Sequence, residues 1–196
     1  MGVLFLLWVP FTFCSAQREA GVIRNIYVKE FEWRITIPKG FERMPDTALT
    51  RAQTNGANLM GKTYHVKVVN LARTFFVFKS GQANSIEANV QPFDPSKGVP
   101  YEKSSKRVCE VIYGTMKAQI PNAKIDSSYK WEVVGGKDFM VFVMNVRFNE
   151  RATYHILMYS RLFGEKKDFT VNICYMDAEK GKQLLDAWKT SSFKDN

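Results

Sequence analysis

The segment that decides the fold is YHILMYSRLFGEKKDFTVNICYM, residues 154–176. Apolar and aromatic side chains dominate it on both sides of the polar stretch GEKK, residues 164–167, which is the pattern of two strands joined by a turn. Asp177 follows directly and belongs to a residue type that caps helices. Leucine and tryptophan then recur at helical spacing in KGKQLLDAWKTSSF, residues 180–193. The core-facing side chains of this helix would be Leu184, Leu185 and Trp188. We therefore expect a β-hairpin followed by a C-terminal helix.

The first half of the chain predicts strands interrupted by one weak helix. FEWRITIPKGF, residues 31–41, alternates apolar with polar residues and ends in a turn at Pro-Lys-Gly. Residues 48–59 have a weak helical pattern that Asn-Gly interrupts. RTFFVFKSG, residues 73–81, and SIEANVQPF, residues 85–93, predict two further strands.

A longer helix and two more strands complete the pattern. The helix is expected to begin at Ser104 or Ser105, either of which could cap it, and to end at about Gln119 because Pro121 stops it. YKWEVV predicts a strand, and the two glycines after it predict a turn. FMVFVMNVRF, residues 139–148, predicts a central strand with both faces covered. A meander of this kind is typical of an α+β fold, with a twisted, largely antiparallel sheet on which helices pack.

The N-terminal residues have the character of a signal peptide. Residues 3–13 are uncharged and mostly apolar, and this run is too short to span a membrane. Cleavage is expected between Ala16 and Gln17, so that residues 1–16 are the signal peptide, 17–30 an N-terminal extension and 31–196 a single domain. The alternatives are a buried N-terminal strand and a lipid anchor at Cys14, which the bulky Phe13 before it disfavours. The prediction is an exported protein, periplasmic or secreted.

The chain has an excess of basic residues, but its sequence lacks the pattern of a nucleic-acid-binding protein. It has 28 Lys and Arg against 19 Asp and Glu, a formal net charge of +9. The basic residues are scattered, and no basic stripe interleaved with aromatic residues is present, which argues against nucleic-acid binding. The charge instead favours anionic neighbours, so weak binding to an anionic surface is a third hypothesis for function.

After the leader, two cysteines remain, Cys109 and Cys174. An exported protein meets an oxidising compartment, which permits a disulfide between them. Cys109 also falls on the apolar stripe of the longer helix, where a free cysteine behaves as a small hydrophobic residue. Both possibilities stay open.

One motif of catalytic type is present. GANLMGKT satisfies the P-loop pattern through Gly56, Gly61, Lys62 and Thr63. A P-loop must follow a buried strand and open a helix, whereas polar residues precede this motif and a β-like pattern follows it. The match is therefore interpreted as coincidence, and neither cofactor nor metal is expected. Two further candidates for acid–base chemistry, His65 and His155, lack metal-ligand spacing.

The opening strand ending in IPKGFER, the β-rich middle with one amphipathic helix and the final hairpin and helix resemble the PsbP-like superfamily. This group includes the extrinsic photosystem protein and a nuclear Ran-binding import factor. The resemblance implies an accessory or binding protein without a shared catalytic site, similar to exported bacterial members of unknown role. We therefore predict a non-enzymatic protein that binds a protein or envelope partner through a surface or groove. The alternative is a small enzyme, either P-loop-like or an unrecognised hydrolase.

Overall fold

The computed structural model describes residues 24–194, which form ten strands and three α-helices. The strands are β1 (Arg24–Val28), β2 (Trp33–Ile37), β3 (Glu42–Arg43), β4 (Arg73–Ser80), β5 (Asn84–Pro92), β6 (Lys124–Val134), β7 (Lys137–Asn149), β8 (Ala152–Phe163), β9 (Lys167–Tyr175) and β10 (Ser192–Phe193). The helices are α1 (Asp46–Tyr64), α2 (Tyr101–Gln119) and α3 (Ala178–Lys189). The predicted α+β class is confirmed.

The large sheet has seven strands in the order β3-β4-β5-β9-β8-β7-β6, and each strand is antiparallel to its neighbours in the sheet. The hairpin predicted from residues 154–176 is β8 and β9, and it lies near the middle of this sheet. Side chains on successive residues of a strand point to opposite faces. Because its members are central, both faces of the hairpin are covered.

The two faces of the large sheet have separate hydrophobic clusters. One face packs against α3 and the small sheet, where the indole rings of Trp33 and Trp188 lie 5.7 Å apart between centroids. The other face packs against α2 through a cluster that includes Cys109, Ile112 and Met116. The predicted central strand, β7, contributes to both clusters. Its continuous apolar run is therefore explained by burial on two sides.

A small three-stranded sheet of order β1-β2-β10 was not predicted. Its first strand lies inside the expected extension of residues 17–30, where Val28 joins the core. The boundary at residue 31 is therefore wrong, because the domain already includes β1. The predicted signal peptide, residues 1–16 with Cys14, Ala16 and the expected cut before Gln17, lies outside the described residues.

Two helix boundaries also differ from the prediction. The α2 helix begins at Tyr101, directly after Pro100, so neither Ser104 nor Ser105 caps it. Pro is well suited to a helix start because it needs no intrahelical hydrogen-bond donor. The α1 helix continues through the expected Asn-Gly interruption to Tyr64. In contrast, the cap of α3 is confirmed, since Asp177 Oδ1 accepts hydrogen bonds from the backbone N–H groups of Glu179 and Lys180.

Within the described part of the chain, the three helices are too short or too polar to cross a lipid bilayer.

Candidate binding site on the polar face of the sheet

Two central strands, β5 and β9, place polar side chains on the face of the large sheet that α1 and α2 cover. We call this set the polar floor. Its members are Ser85, Glu87, Asn89, Gln91, Asp168, Thr170 and Asn172. The residues between them, such as Ile86 and Val171, belong to the core on the opposite face. Since Cys174 continues the polar row of β9 and packs in the cluster of α2, the polar floor faces the helices.

Glu87 is the most deeply buried carboxyl group of the floor, with 7% of its surface exposed. Asn89 Nδ2 donates to its Oε1 at 3.3 Å, and Thr74 Oγ1 donates to the same atom at 3.5 Å. Burial raises the pKa of Glu87 to about 7, against smaller lowering effects of hydrogen bonds from Asn89, Thr74 and Asn172. Asn172 Oδ1 has no hydrogen-bond partner among the described residues.

A second buried carboxyl group, Asp168, lies at the other end of the floor. Tyr101 O–H donates to its Oδ1 at 2.7 Å, and Gln91 Nε2 donates to its Oδ2 at 2.7 Å. Tyr101 is the first residue of α2, so the start of this helix is fixed to the sheet through the carboxyl group. Burial raises the pKa of Asp168, and the two hydrogen bonds oppose that shift.

A cavity of about 490 Å³ opens beside Asp168, between the first turns of α2 and the loop after β5. We call it the α2 pocket. Its lining residues are Leu71, Gln91, Pro92, Phe93, Asp94, Lys97, Val99, Ser104, Ser105, Arg107, Val108 and Asp168. Its volume falls within the range of about 300–1,000 Å³ that is typical of ligand sites. Polar groups of the floor therefore meet apolar walls in a space that a small group can enter.

The P-loop-like residues have a different environment from the one that a nucleotide site requires. Gly56, Gly61, Lys62 and Thr63 all lie inside α1. Thr63 Oγ1 donates to the Leu59 carbonyl at 3.0 Å, as hydroxyl groups commonly do within a helix. Backbone N–H groups in a helix interior are already engaged, so they cannot form the phosphate-binding turn of a P-loop. The geometry does not support the nucleotide-site alternative.

The two cysteines are free and buried, and no disulfide joins Cys109 to Cys174 in this structure. Burial raises the pKa of each thiol to about 12. Hydrogen bonds with Tyr129 and Tyr154 oppose this effect at Cys109 and Cys174, respectively. A thiol with so high a pKa is almost entirely protonated at neutral pH, so both cysteines are poor nucleophiles.

The histidines occupy structural positions. His65 ends α1 in the left-handed backbone conformation, with φ of 53°. His155 Nδ1 lies 2.8 Å from Asn145 Oδ1, and its ring stacks on Tyr175 with centroids 4.7 Å apart. Burial lowers the pKa of His155. Among residues 24–194, no group of three or more His, Cys, Asp or Glu side chains is arranged to hold a metal ion.

Sequence reasoning missed the polar floor, although its signal is present in the strands. In β5 and β9 polar residues recur at every second position, which in an antiparallel sheet is the usual sign of a solvent-facing side. Here α1 and α2 lie over that side, and Gln53 of α1 donates to Thr74 Oγ1 at 3.0 Å. The pattern shows a polar face; only the tertiary arrangement shows that it is buried.

Comparison with known proteins identifies the fold. No protein-family model and no curated protein sequence matches the chain. The solution structure of cyanobacterial PsbP from Synechocystis sp. PCC 6803 is similar, with a TM-score of 0.53 and 12% identity over 95% of this chain and 100% of that one. The Saccharomyces cerevisiae Ran-binding protein Mog1p aligns with a TM-score of 0.43 and 9% identity over 90% of this chain and 97% of that one. The similarity to cyanobacterial PsbP shows that the chain has the PsbP-like α+β fold expected from the sequence.

Proposed function

We propose that this protein is an exported, non-enzymatic binding protein that engages an envelope partner through the α2 pocket. The observation that carries the proposal is the buried carboxyl group of Asp168 in the lining of a cavity that also has apolar side chains. The PsbP-like resemblance, which implies an accessory or binding role, supports it. The net charge of +9 suits an envelope rich in anionic groups.

The chemistry of the pocket favours a partner group with an apolar stem and a hydrogen-bond donor at its tip. Each oxygen of Asp168 accepts one hydrogen bond in the structure, and a carboxylate can accept about four in all. Burial disfavours the charged form of Asp168, whereas an ammonium group in the pocket would favour that form and lower the pKa of the carboxyl group. Leu71, Val99 and Val108 would contact the stem. A lysine side chain of a partner protein has this shape and chemistry.

The environments of the reactive residues support a role without catalysis. Both thiols are buried with raised pKa values, and His155 is held by Asn145 and Tyr175. A nucleophile activated by an adjacent base is the usual requirement for covalent catalysis. Binding at the pocket requires neither a nucleophile nor an adjacent base. We therefore expect substitutions of pocket residues to affect function more than substitutions of His65 or His155.

Site-specific photo-cross-linking in cells that express the protein natively tests the proposal. A photoreactive residue replaces Leu71, which is 54% exposed at the pocket mouth. The matched control replaces Phe148, which is 44% exposed near the opposite end of the large sheet. Mass spectrometry then identifies captured proteins and the N-terminal peptide. We expect one reproducible partner from position 71, none from position 148, and a mature chain that begins at Gln17.

The substitution Asp168→Asn separates pocket recognition from simple proximity. It preserves the shape of the side chain but removes the negative charge, so capture from position 71 should fall at least several-fold while the protein remains folded by circular dichroism. Equal capture from both positions, or capture that Asp168→Asn leaves unchanged, would contradict a pocket-mediated function. An intact or acylated N-terminus on this chain would contradict cleavage before Gln17 and would indicate an anchored protein instead.

A further inference from the structure

The outer strand of the large sheet, β6, has a backbone edge that is unpaired among the described residues, and it has exposed apolar side chains. It is last in the sheet order, so one side of its backbone pairs with β7 and no other described strand pairs with the second side. Three of its hydrophobic side chains are exposed: 40% for Tyr129, 59% for Trp131 and 68% for Val133. An edge strand of this length with exposed apolar side chains is a template for pairing with another strand.

The two faces of β6 differ in character. Tyr129 packs on Phe142 at 5.2 Å between ring centroids, so Tyr129, Trp131 and Val133 point to the side of α2. The intervening residues point to the opposite side. They are Lys124, Asp126, Ser128, Lys130 and Glu132. Within one chain, Lys130 pairs with Glu132, and Asp126 accepts a hydrogen bond from Asn145 at 2.7 Å.

From this pattern we infer that β6 pairs with β6 of a second copy, antiparallel, about a two-fold axis at Ser128. In that register Asp126 lies opposite Lys130 of the other copy, and Lys124 lies opposite Glu132 of the other copy. By symmetry, each pairing occurs twice, so every charged residue of this face meets an opposite charge. Cross-strand pairs of opposite charge stabilise a sheet, whereas like charges directly opposite destabilise it.

Neighbouring registers lack this complementarity. With the axis at Ser127, Lys124 would lie opposite Lys130, and with the axis at Tyr129, Asp126 would lie opposite Glu132. The register at Ser128 also sets Ile125 against Trp131 on the α2 side, where it covers exposed indole surface. Charges that only protect an edge from aggregation need no two-fold complementarity. This pattern therefore favours a second copy of the chain as the occupant, in an isologous dimer with one continuous sheet.

Charge reversal tests the pairing in the purified, natively expressed protein by sedimentation equilibrium. We expect a dimer for the unmodified protein and a Kd that increases by about tenfold or more for Asp126→Lys or Lys130→Asp alone, since each reverses two pairs. The double variant restores opposite charges in the proposed register and should return the Kd to within a few-fold of the original. A monomer up to about 100 μM, or a double variant no tighter than the single ones, would overturn the inference.

Cysteine cross-linking provides an independent test of the axis. Ser127 and Ser128 are both exposed on β6, and Cys109 and Cys174 are buried. Opposite residues of an antiparallel pair have Cα atoms about 4.5–5.5 Å apart, which suits a disulfide. Under mild oxidation, Ser128→Cys should form a covalent dimer, whereas Ser127→Cys, which would face Tyr129, should not. Equal linkage of both variants, or linkage of neither, would refute the proposed axis.

Discussion

Replacing Glu87 by Gln should make the protein more stable, and the gain should depend on pH. The pKa of this buried carboxyl group is about 7 in the folded protein against an ordinary value of 4.5. One pKa unit corresponds to about 1.36 kcal/mol, so ionising the group in the folded state costs about 3 kcal/mol. Because the folded pKa is raised, the stability associated with the neutral group is fully present below pH 4.5 and is lost as pH rises through 7. Gln does not ionise and avoids this loss.

The assay is urea denaturation of both proteins at intervals between pH 4 and pH 8.5, with unfolding monitored by circular dichroism. At pH 4 the two free energies of unfolding should be similar, because neutral Glu and Gln have nearly the same shape. At pH 8 and above the variant should be more stable by about 3 kcal/mol. Glu165→Gln, in the exposed turn between β8 and β9, is the charge-matched control and should show no such gain. A difference between wild type and Glu87→Gln that stays constant across this pH range would refute the assignment of Glu87 as a desolvated carboxyl group.

Three further substitutions test how the fold positions the site. Tyr101→Phe removes the O–H donor from a buried carboxyl group and should lower the free energy of unfolding by about 1–3 kcal/mol in urea denaturation, whereas Tyr27→Phe, at an exposed ring, should have little effect. Asp177→Ala removes the cap of α3 and should cost about 1 kcal/mol in the same assay, and an unchanged stability would contradict the capping role. Gly135→Ala should lower the melting temperature more than Gly136→Ala. Both glycines have positive φ, but a Cβ at position 135 would lie 2.9 Å from the Phe193 side chain of β10, whereas a Cβ at position 136 would meet no atom of the described residues within 4 Å. Equal effects of the two glycine substitutions would show that backbone conformation alone matters.

Much of the fold could be predicted because periodicity and local signals agree with the tertiary structure. The hairpin β8-β9 and the cap at Asp177 follow from short segments, and the apolar run of β7 indicates a strand with two covered faces. The strand β1 was missed because RNIYV alternates weakly, and its pairing with β2 depends on tertiary contacts. The strand β10 is only two residues long, too short for any periodic signal.

The candidate site was harder to predict than the fold. The buried state of Glu87 and Asp168 depends on helices that come from elsewhere in the chain, and no local pattern encodes that coverage. The P-loop-like motif illustrates the reverse problem, since a complete sequence match lies in a helix where the corresponding chemistry cannot occur. Only the three-dimensional arrangement shows that the polar rows of β5 and β9 are buried and that the motif lies within α1.

The small sheet has a consequence for how the protein can fold during synthesis. Its middle strand, β2, comes from near the start of the described chain and pairs with β10, which comes from its end. Phe193 of β10 also packs its ring on Trp33, with centroids 5.9 Å apart. The core on this face can therefore be completed only after residue 193 has emerged from the ribosome. Until then β2 lacks one of its two pairing strands and Trp33 lacks one of its aromatic contacts.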